Sequence, residues 1–395
     1  MGSAVKIPKG VWALGFVSML MDISSELIHS LLPVFMVSTL GASALAVGLV
    51  EGVAESTALI SKVFSGTLSD YLGRRKGLAV FGYALGALSK PLFAIAASVN
   101  AVLAARFMDR IGKGMRGAPR DALVADLTPE PIRGAAYGLR QSLDTIGAFI
   151  GPLLAILLMS VFSGNFRAVF WFAVIPGVLA VVLLSVGVQD PEPTTQGQAR
   201  APIHWRSLRQ LDAAYWWIVV AGTMFALARF SEAFLILQAH QKGLPDMLAP
   251  VVFVLMNVIY ALSAYPAGIL ADRMNRRLLL SSGLIVLFIS DIVLARAQGL
   301  GAVAVGVGLW GLHMGLTQGL LAAMVAAAAP AQLRGTAFGL FNLASGVAML
   351  AASALAGFLW DKIGPFATFY AGSGLAVAAL AILALPRRTK DYQSV

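Results

Sequence analysis

Long apolar stretches recur along almost the whole chain, and short polar segments separate them. Each stretch has the ~20 residues that an α-helix needs to cross a bilayer core of ~30 Å. The pattern therefore predicts an all-α integral membrane protein with twelve transmembrane helices. Predicted helices 1 to 12 span residues 11–38, 46–69, 77–98, 100–126, 135–162, 166–188, 214–238, 248–271, 277–297, 300–329, 336–359 and 364–386.

Basic residues indicate the orientation of these helices. They concentrate at the ends of alternate loops, as the positive-inside rule describes for cytoplasmic loops. This set comprises Lys6, Lys9, Arg74, Arg75, Lys76, Arg133, Arg273, Arg276, Arg277, Arg334, Arg387, Arg388 and Lys390. We therefore expect a multi-pass protein of the inner (plasma) membrane with both termini in the cytoplasm. The first apolar stretch is too long for a signal peptide, so it is expected to remain as helix 1.

The composition excludes several classes of function. Hydrophobic residues make up 58% of the chain and charged residues only 12%, which a soluble protein of 395 residues cannot accommodate. The net charge of +10 comes from loop ends, so no nucleic-acid partner is expected. With no cysteine and four scattered histidines, neither a thiolate metal site nor a cofactor is expected.

Two separate motifs occur twice in the chain. The segment Gly66–Lys76 recurs as Gly268–Leu278, and Arg133–Leu139 recurs as Arg334–Leu340. The two offsets, 202 and 201 residues, are nearly equal, which indicates two similar halves. In such proteins the substrate site lies between the halves at mid-membrane, and rocking of one half against the other alternates access.

The longest polar stretch, 189–213, falls between these two halves. We therefore expect an N-terminal six-helix bundle over 1–188, a cytoplasmic linker over 189–213 and a C-terminal six-helix bundle over 214–395.

The segment after helix 2 resembles the cytoplasmic loop motif of the major facilitator superfamily, and the resemblance extends over the whole chain. The matching residues are Gly66, Leu68, Asp70, Gly73, Arg74, Arg75 and Lys76. In this family the motif acts as a latch that holds one conformation and breaks when the transporter inverts. The resemblance therefore implies a latch made of Gly66, Asp70, Gly73, Arg74, Arg75, Asp126, Asp272 and Arg276. Positioning of a loop by its basic residues is the alternative.

A second match lies on helix 5, at Gly138, Gly147, Gly151 and Pro152. Family members with this pattern are mostly exporters that work as antiporters. The family pattern continues with two more glycines, where this chain has Ala155 and Ile156. Glycines four residues apart also allow ordinary close packing of helices, which is the alternative interpretation.

Carboxylates lie within the apolar spans of helices 1 and 2, where charges are costly and therefore informative. Asp22, Glu26 and His29 share one face of helix 1 by helical spacing. Helix 2 adds Glu51 and Glu55, also one turn apart. Because neighbouring carboxylates disfavour each other's ionisation, one of them can carry a proton at neutral pH. We therefore expect Asp22, Glu26, Glu51 and Glu55 to serve proton coupling.

Helix 4 carries a stripe of charge that lipid would not tolerate. Its cations are Arg106, Arg110, Lys113, Arg116 and Arg120, and Asp109 lies at the edge. Arg106 matches the family's helix-4 arginine, and this resemblance implies that Arg106 takes part in proton coupling, together with Asp109. Three interpretations remain open: pairing with carboxylates of the N-terminal half, binding of an anionic substrate, and tuning of the proton sites.

The C-terminal half has fewer polar residues within its spans. Helix 7 contains Arg229 and Glu232, and helix 10 contains His313 and Gln318. The asymmetry suggests coupling chemistry in the N-terminal half and recognition of substrate shape in the other. Predicted substrate-binding residues are His29, Arg110, Lys113, Arg116, Arg120, Arg229, Glu232, His313 and Gln318.

Together these features predict a secondary active transporter, a proton-coupled antiporter that exports a small solute. An organic anion or siderophore-like molecule is favoured. Multidrug efflux and efflux of nickel or iron are alternatives, the metal binding to Asp22, Glu26 and His29. No Gly-rich phosphate loop is present, so ATP use is not expected. A membrane-embedded enzyme and a non-transporting receptor are the disfavoured classes. We expect a monomer in the lipid bilayer, with protons and the solute as partners.

Overall fold

The computed structural model describes residues 7–72, 75–189, 211–317, 319–330 and 333–384, without the side chains of 66–67, 69–72 and 272–273. Throughout these residues the regular structure is helical, and twelve long helices follow one another in the predicted order. They are α1 Lys9–Thr39, α2 Ala44–Leu72, α3 Arg75–Ile95, α4 Val99–Leu127, α5 Arg133–Val161, α6 Phe166–Gly187, α7 Ala213–Gln241, α8 Val251–Arg273, α9 Arg276–Ala295, α10 Leu300–Ala328, α11 Arg334–Lys362 and α12 Pro365–Ala384. The predicted linker falls mostly outside the described residues.

Helix α4 differs from the other eleven in its charge. Those eleven helices are long and apolar enough to cross a membrane. The 29 residues of α4 include eight charged side chains, so the helix fails this criterion despite its length. It packs between α2 and α3 and also contacts α1 and α5. This interior position lets protein groups pair with its charges, which lipid cannot do.

Four helices are interrupted within their apolar stretches, one of them α6, which has a turn at Ala173. Helix α1 ends its first segment at His29 and resumes at Leu32. Helix α7 is broken between Ala228 and Ala233, and α10 is broken at Gly319, whose φ of +73° favours glycine. The α1 and α7 breaks are at equivalent positions of the two halves. Unwound backbone at membrane depth is tolerated where it is inside protein or lines a cavity.

Helices α2 and α11 join the two halves by close contact of small residues. An ideal Cβ on Gly48 would lie 2.2 Å from the carbonyl oxygen of Ser353, and one on Gly357 would lie 2.5 Å from that of Ala44. Asp361, at the end of α11, accepts hydrogen bonds from the backbone N–H groups of Ala44 and Leu45 at 3.0 and 2.9 Å. Its carboxylate therefore caps the positive N-terminal end of α2 across the boundary between the halves.

Replacing Asp361 with alanine should loosen this end of the bundle. Loss of a helix cap costs about 1 kcal/mol, which is roughly a fivefold change in the ratio of closed to open molecules. Because the chain has no cysteine, spin labels can be attached to cysteines placed at the exposed residues Ser43 and Ile363. Double electron–electron resonance should then show a larger population of molecules in which the two spin labels are far apart. Lys362→Ala is the control, and an equal shift in that variant would contradict a capping role.

Candidate functional site

A cavity of about 260 Å³ lies where the two halves meet near the α1 and α7 breaks. Nine of its fifteen lining residues are ionisable, so the site is strongly polar although the surrounding helices are apolar. Its lining residues are Glu26, His29 and Pro33 of α1, Glu51 and Glu55 of α2, Arg106, Arg110 and Lys113 of α4, Arg229–Ala233 of α7, Phe253 of α8 and Met349 of α11.

Two ion pairs connect α2 and α4 at the cavity. An Arg106 Nη atom lies 2.6 Å from Glu51 Oε2, and one of Arg110 lies 3.2 Å from Glu55 Oε1. The pairs stack because each helix presents its two charged residues one turn apart. Arg110 also lies 3.3 Å from His29 Nδ1. These two helix-4 cations therefore balance the helix-2 carboxylates, as the pairing interpretation of the stripe expects.

A third ion pair stands in the break of α7. Arg229 donates to Glu232 at 2.8 Å, and both side chains are partly buried. The backbone N–H of Ser231 donates to Ser353 Oγ of α11 at 3.2 Å. The unwound backbone thus finds a partner outside its own helix, and the break holds two opposite charges at the cavity wall.

Two cavity groups have no such ionic partner. Lys113 is exposed in the cavity and makes no hydrogen bond or ion pair within the part of the chain that the structure describes. Among the described residues, the Glu26 carboxylate forms an ion pair only with His29, whose Nδ1 lies 3.7 Å away. One cation on α4 and one carboxyl group on α1 are therefore available to a solute or to protons.

The glycines of the α5 motif pack against the carboxylate face of α1. An ideal Cβ on Gly147 would lie 2.5 Å from the Met19 carbonyl oxygen and 3.1 Å from Asp22 Cβ, and one on Gly151 would lie 2.7 Å from Glu26 Cβ. Gly138 faces open space, and Pro152 is buried within α5. Asp22 itself lies against α5, outside the cavity lining. Two of the three motif glycines thus fix the helix that carries Glu26.

Asp109 forms a buried ion pair that the sequence analysis missed. Lys90 Nζ of α3 lies 2.7 Å from Asp109 Oδ1 and 3.0 Å from Ser25 Oγ, and Lys90 is fully buried. His29 Nε2 lies 3.4 Å from the other oxygen of Asp109. Asp109 does not line the cavity. The sequence does point to Lys90, because it is the single charged residue within predicted helix 3.

The other predicted substrate-binding residues lie away from the cavity. The Arg116 guanidinium stacks over the Tyr83 ring at 5.0 Å. Arg120 contacts Asp121 and Ser18, at 3.1 and 3.2 Å. His313 is buried, with Nδ1 2.8 Å from the Gly283 carbonyl oxygen, and it does not appear in the cavity wall. Gln318 falls outside the described residues.

The predicted latch is described only in part. Arg75, in the first turn of α3, contacts the carboxylate of Asp126 in the last turn of α4. Arg276 is exposed at the start of α9. The remaining members, Gly66, Asp70, Gly73, Arg74 and Asp272, fall outside the residues whose side chains are described.

Twelve helices in two repeated halves around a charged central cavity define a membrane transporter. Comparisons with known proteins agree, since a sequence model of the Major Facilitator Superfamily matches residues 14–259 and 230–394. The chain belongs to the major facilitator superfamily, so the predicted fold class and family resemblance are both confirmed.

One relative and one solved structure match nearly the whole chain, and a second relative matches half of it. An uncharacterized MFS-type transporter of Methanocaldococcus jannaschii is 31% identical over 379 residues, which cover 94% of this chain and 93% of that protein. The quinolone resistance protein NorA of Staphylococcus aureus is 25% identical over 205 residues, covering 50% of this chain and 52% of NorA. The crystal structure of the nucleoside transporter NupG shares the fold, with a TM-score of 0.76 at 12% identity, covering 94% of this chain and 98% of that one.

Proposed function

We propose that this protein is a proton-coupled antiporter that exports a small solute carrying an anionic group. One observation carries the proposal: three ion pairs account for most charges of the cavity, whereas among the described residues Lys113 forms no ion pair and Glu26 pairs only with a histidine, His29, at 3.7 Å. The Glu26 carboxyl group exchanges protons with the cavity. The Lys113 ammonium group binds the anionic group of the solute.

The coupling role of Glu26 is supported by its position on α1. It faces the cavity on one side and the α5 glycine Gly151 on the other. Movement of α5 against α1 would therefore change the surroundings of this carboxyl group directly. A carboxyl group whose hydration changes between two conformations takes up a proton in one and releases it in the other.

Export is supported by similarity and by the α5 motif. NorA, by its name, is a quinolone resistance protein, and it is similar to half of this chain. The glycines of α5 match the pattern found in exporters of this family. With both termini in the cytoplasm, the protein would load solute from the cytoplasm and release it outside in exchange for protons.

The size and charge of the cavity favour a small organic anion over the other predicted solutes. A volume of about 260 Å³ is near the lower limit of the ~300–1,000 Å³ of sites for drug-sized ligands, so a small solute fits this conformation best. The guanidinium group of Arg110 disfavours a divalent metal at Asp22, Glu26 and His29, because this positive charge lies 3.3 Å from His29 Nδ1.

Purified protein in liposomes with an internal pH indicator tests the proposal. Under an imposed pH gradient, small carboxylate and phosphate anions, divalent metals and lipophilic cations are added in separate panels. We expect anions to trigger proton flux, and Glu26→Gln to reduce that flux at least tenfold while solute exchange continues. Lys113→Gln should weaken the apparent affinity for the anion about tenfold, because a hydrogen bond to a charged group is lost.

Two controls match these variants in chemistry. Glu130→Gln and Lys62→Gln remove the same charges from exposed residues that do not line the cavity, and they should behave as the wild type. If only lipophilic cations trigger proton flux, the transported solute is drug-like and the proposed anion is wrong. Solute equilibration without any proton flux would make the protein a facilitator and refute the coupling role of Glu26.

A further inference from the structure

Asp291, near the C-terminal end of α9, is a buried acid without a hydrogen-bond partner among the described residues. Its side chain has no solvent exposure. Neither carboxyl oxygen has a hydrogen-bond donor among the described residues, although both are buried. An ionised carboxylate in this position would have neither water nor a compensating charge among the described residues, which is energetically costly.

The Asp291 carboxyl group lies against apolar groups of α12 and α7. An ideal Cβ on Gly372 of α12 would lie 2.6 Å from Asp291 Oδ2 and 2.8 Å from the ring of Phe230. The carboxyl group and the edge of this ring therefore meet at the same point of α12. Phe230 packs in turn against Trp310 and Phe369, with ring centroids 5.2 and 5.7 Å apart.

Titratable groups on the helices around α9 are engaged elsewhere. On α10, His313 binds the Gly283 carbonyl oxygen, and on α7 Arg229 pairs with Glu232. Near the end of α9, Arg296 donates to the hydroxyl oxygen of Tyr370 on α12 at 3.2 Å. None of these groups hydrogen-bonds to Asp291, so its ionisation is not balanced by any described cation.

The repeat shows what distinguishes this position. Asp291 of α9 lies 201 residues after Lys90 of α3, and Trp310 lies 201 residues after Asp109. Asp291 and Trp310 therefore occupy the positions in the second half that Lys90 and Asp109 occupy in the first. In the N-terminal half the two residues form an ion pair. In the C-terminal half the indole Nε1 of Trp310 has no acceptor among the described residues, just as Asp291 has no donor. Within the part of the chain that the structure describes, the second half therefore carries a buried acid without the counter-charge that its equivalent in the first half has.

Access to Asp291 depends on the break of α7. Phe230 is one of the unwound residues, and it lines the central cavity with its neighbours Arg229 and Ser231. Its ring stands beside the carboxyl group of Asp291. Withdrawal of this ring by movement of the unwound segment would uncover one side of the Asp291 carboxyl group next to the cavity wall.

We propose that Asp291 is a second proton-binding site, loaded in this conformation and opened to the cavity by movement of Phe230 in the α7 break. This inference rests on the proposed proton-coupled transport. Only a proton moves in the step: the carboxyl O–H bond breaks, and cavity water accepts the proton.

Infrared titration of the purified protein in liposomes tests the protonation without any solute. The wild type at neutral pH should show the carbonyl stretch of a neutral carboxyl group in an apolar site, and Asp291→Asn should remove it. Glu232→Gln should keep the band, because that carboxylate is ion-paired with Arg229. Because Glu26 can also carry a proton, the comparison is made in the Glu26→Gln background, and a band that persists there in Asp291→Asn would overturn the proposal.

Thermal melting and proton flux complete the test. Asp291→Asn should melt close to the wild type because a neutral group replaces a neutral group. It should reduce solute-triggered proton flux at least fivefold while solute exchange continues. Unchanged flux in this folded variant would refute the coupling role of Asp291. If no solute triggers proton flux in the wild type, proton-coupled transport is refuted. The infrared band would then still show whether Asp291 carries a proton.

Discussion

Replacing Asp109 with alanine should destabilise the protein more than any other single change to its charged residues. The variant leaves Lys90 fully buried and without the carboxylate that lies 2.7 Å from its Nζ atom. Breaking a buried ion pair by removing one partner costs about 3–5 kcal/mol. That is a large share of the stability of a folded protein, so the melting temperature in detergent, followed by circular dichroism, should fall steeply.

The reverse change and the double change separate the charge from the packing. Lys90→Met leaves Asp109 with the Ser89 hydroxyl and His29, each at 3.4 Å, and Arg110 at 3.8 Å, and should also destabilise. Combining Lys90→Met with Asp109→Leu removes both charges and should recover most of the loss, because apolar groups of similar volume often replace a buried pair at little cost.

An exposed ion pair of the same chain provides the control. Arg133 and Glu130 lie 3.3 Å apart at the surface, and removal of either should change stability by about 0.5 kcal/mol or less. If Asp109→Ala melted like Glu130→Ala, Lys90 would have to be neutral in the native protein. If the double variant were as unstable as Asp109→Ala, the shape of the pair rather than its charge would be essential.

The fold follows closely from the apolar stretches, because the length of a membrane-spanning helix is fixed by the bilayer. Predicted helix 3, 77–98, corresponds to Arg75–Ile95, and predicted helix 9, 277–297, to Arg276–Ala295. The breaks did not follow from the same pattern. The break in α7 depends on Ser353 of α11, which takes a hydrogen bond from the unwound backbone and is more than a hundred residues away.

The candidate site was predictable in its residue types but only partly in its geometry. Helical spacing placed Glu26 with His29 and Glu51 with Glu55, and the structure brings all four to one cavity. The stripe on α4 was different. Its cations turn to different helices, since Arg106 binds α2 and Arg116 stacks on a ring of α3. Spacing along one helix specifies a face, but the neighbour that each part of this face meets is decided by the tertiary fold.

Among substitutions that remove no charged side chain, Gly147→Ala and Gly151→Ala are expected to reduce transport most. A methyl group at Gly147 would lie 2.5 Å from the Met19 carbonyl oxygen, which is backbone and cannot turn away. One at Gly151 would lie 2.7 Å from Glu26 Cβ. Helix α1 would have to move away from α5, and overpacking of this kind costs about 1–3 kcal/mol. We expect proton flux in liposomes to fall at least tenfold in each variant.

Gly138→Ala is the matched control, because it makes the same change in the same motif and the same helix. Apart from the backbone of its own helix, no atom of the described residues lies within 4 Å of the added methyl group, so this variant should transport like the wild type. The comparison separates two explanations of the motif. If its glycines act by close packing, only the two that contact α1 should matter. If they act by making α5 flexible, alanine at Gly138 should be as harmful as alanine at Gly151, and the packing explanation would be wrong.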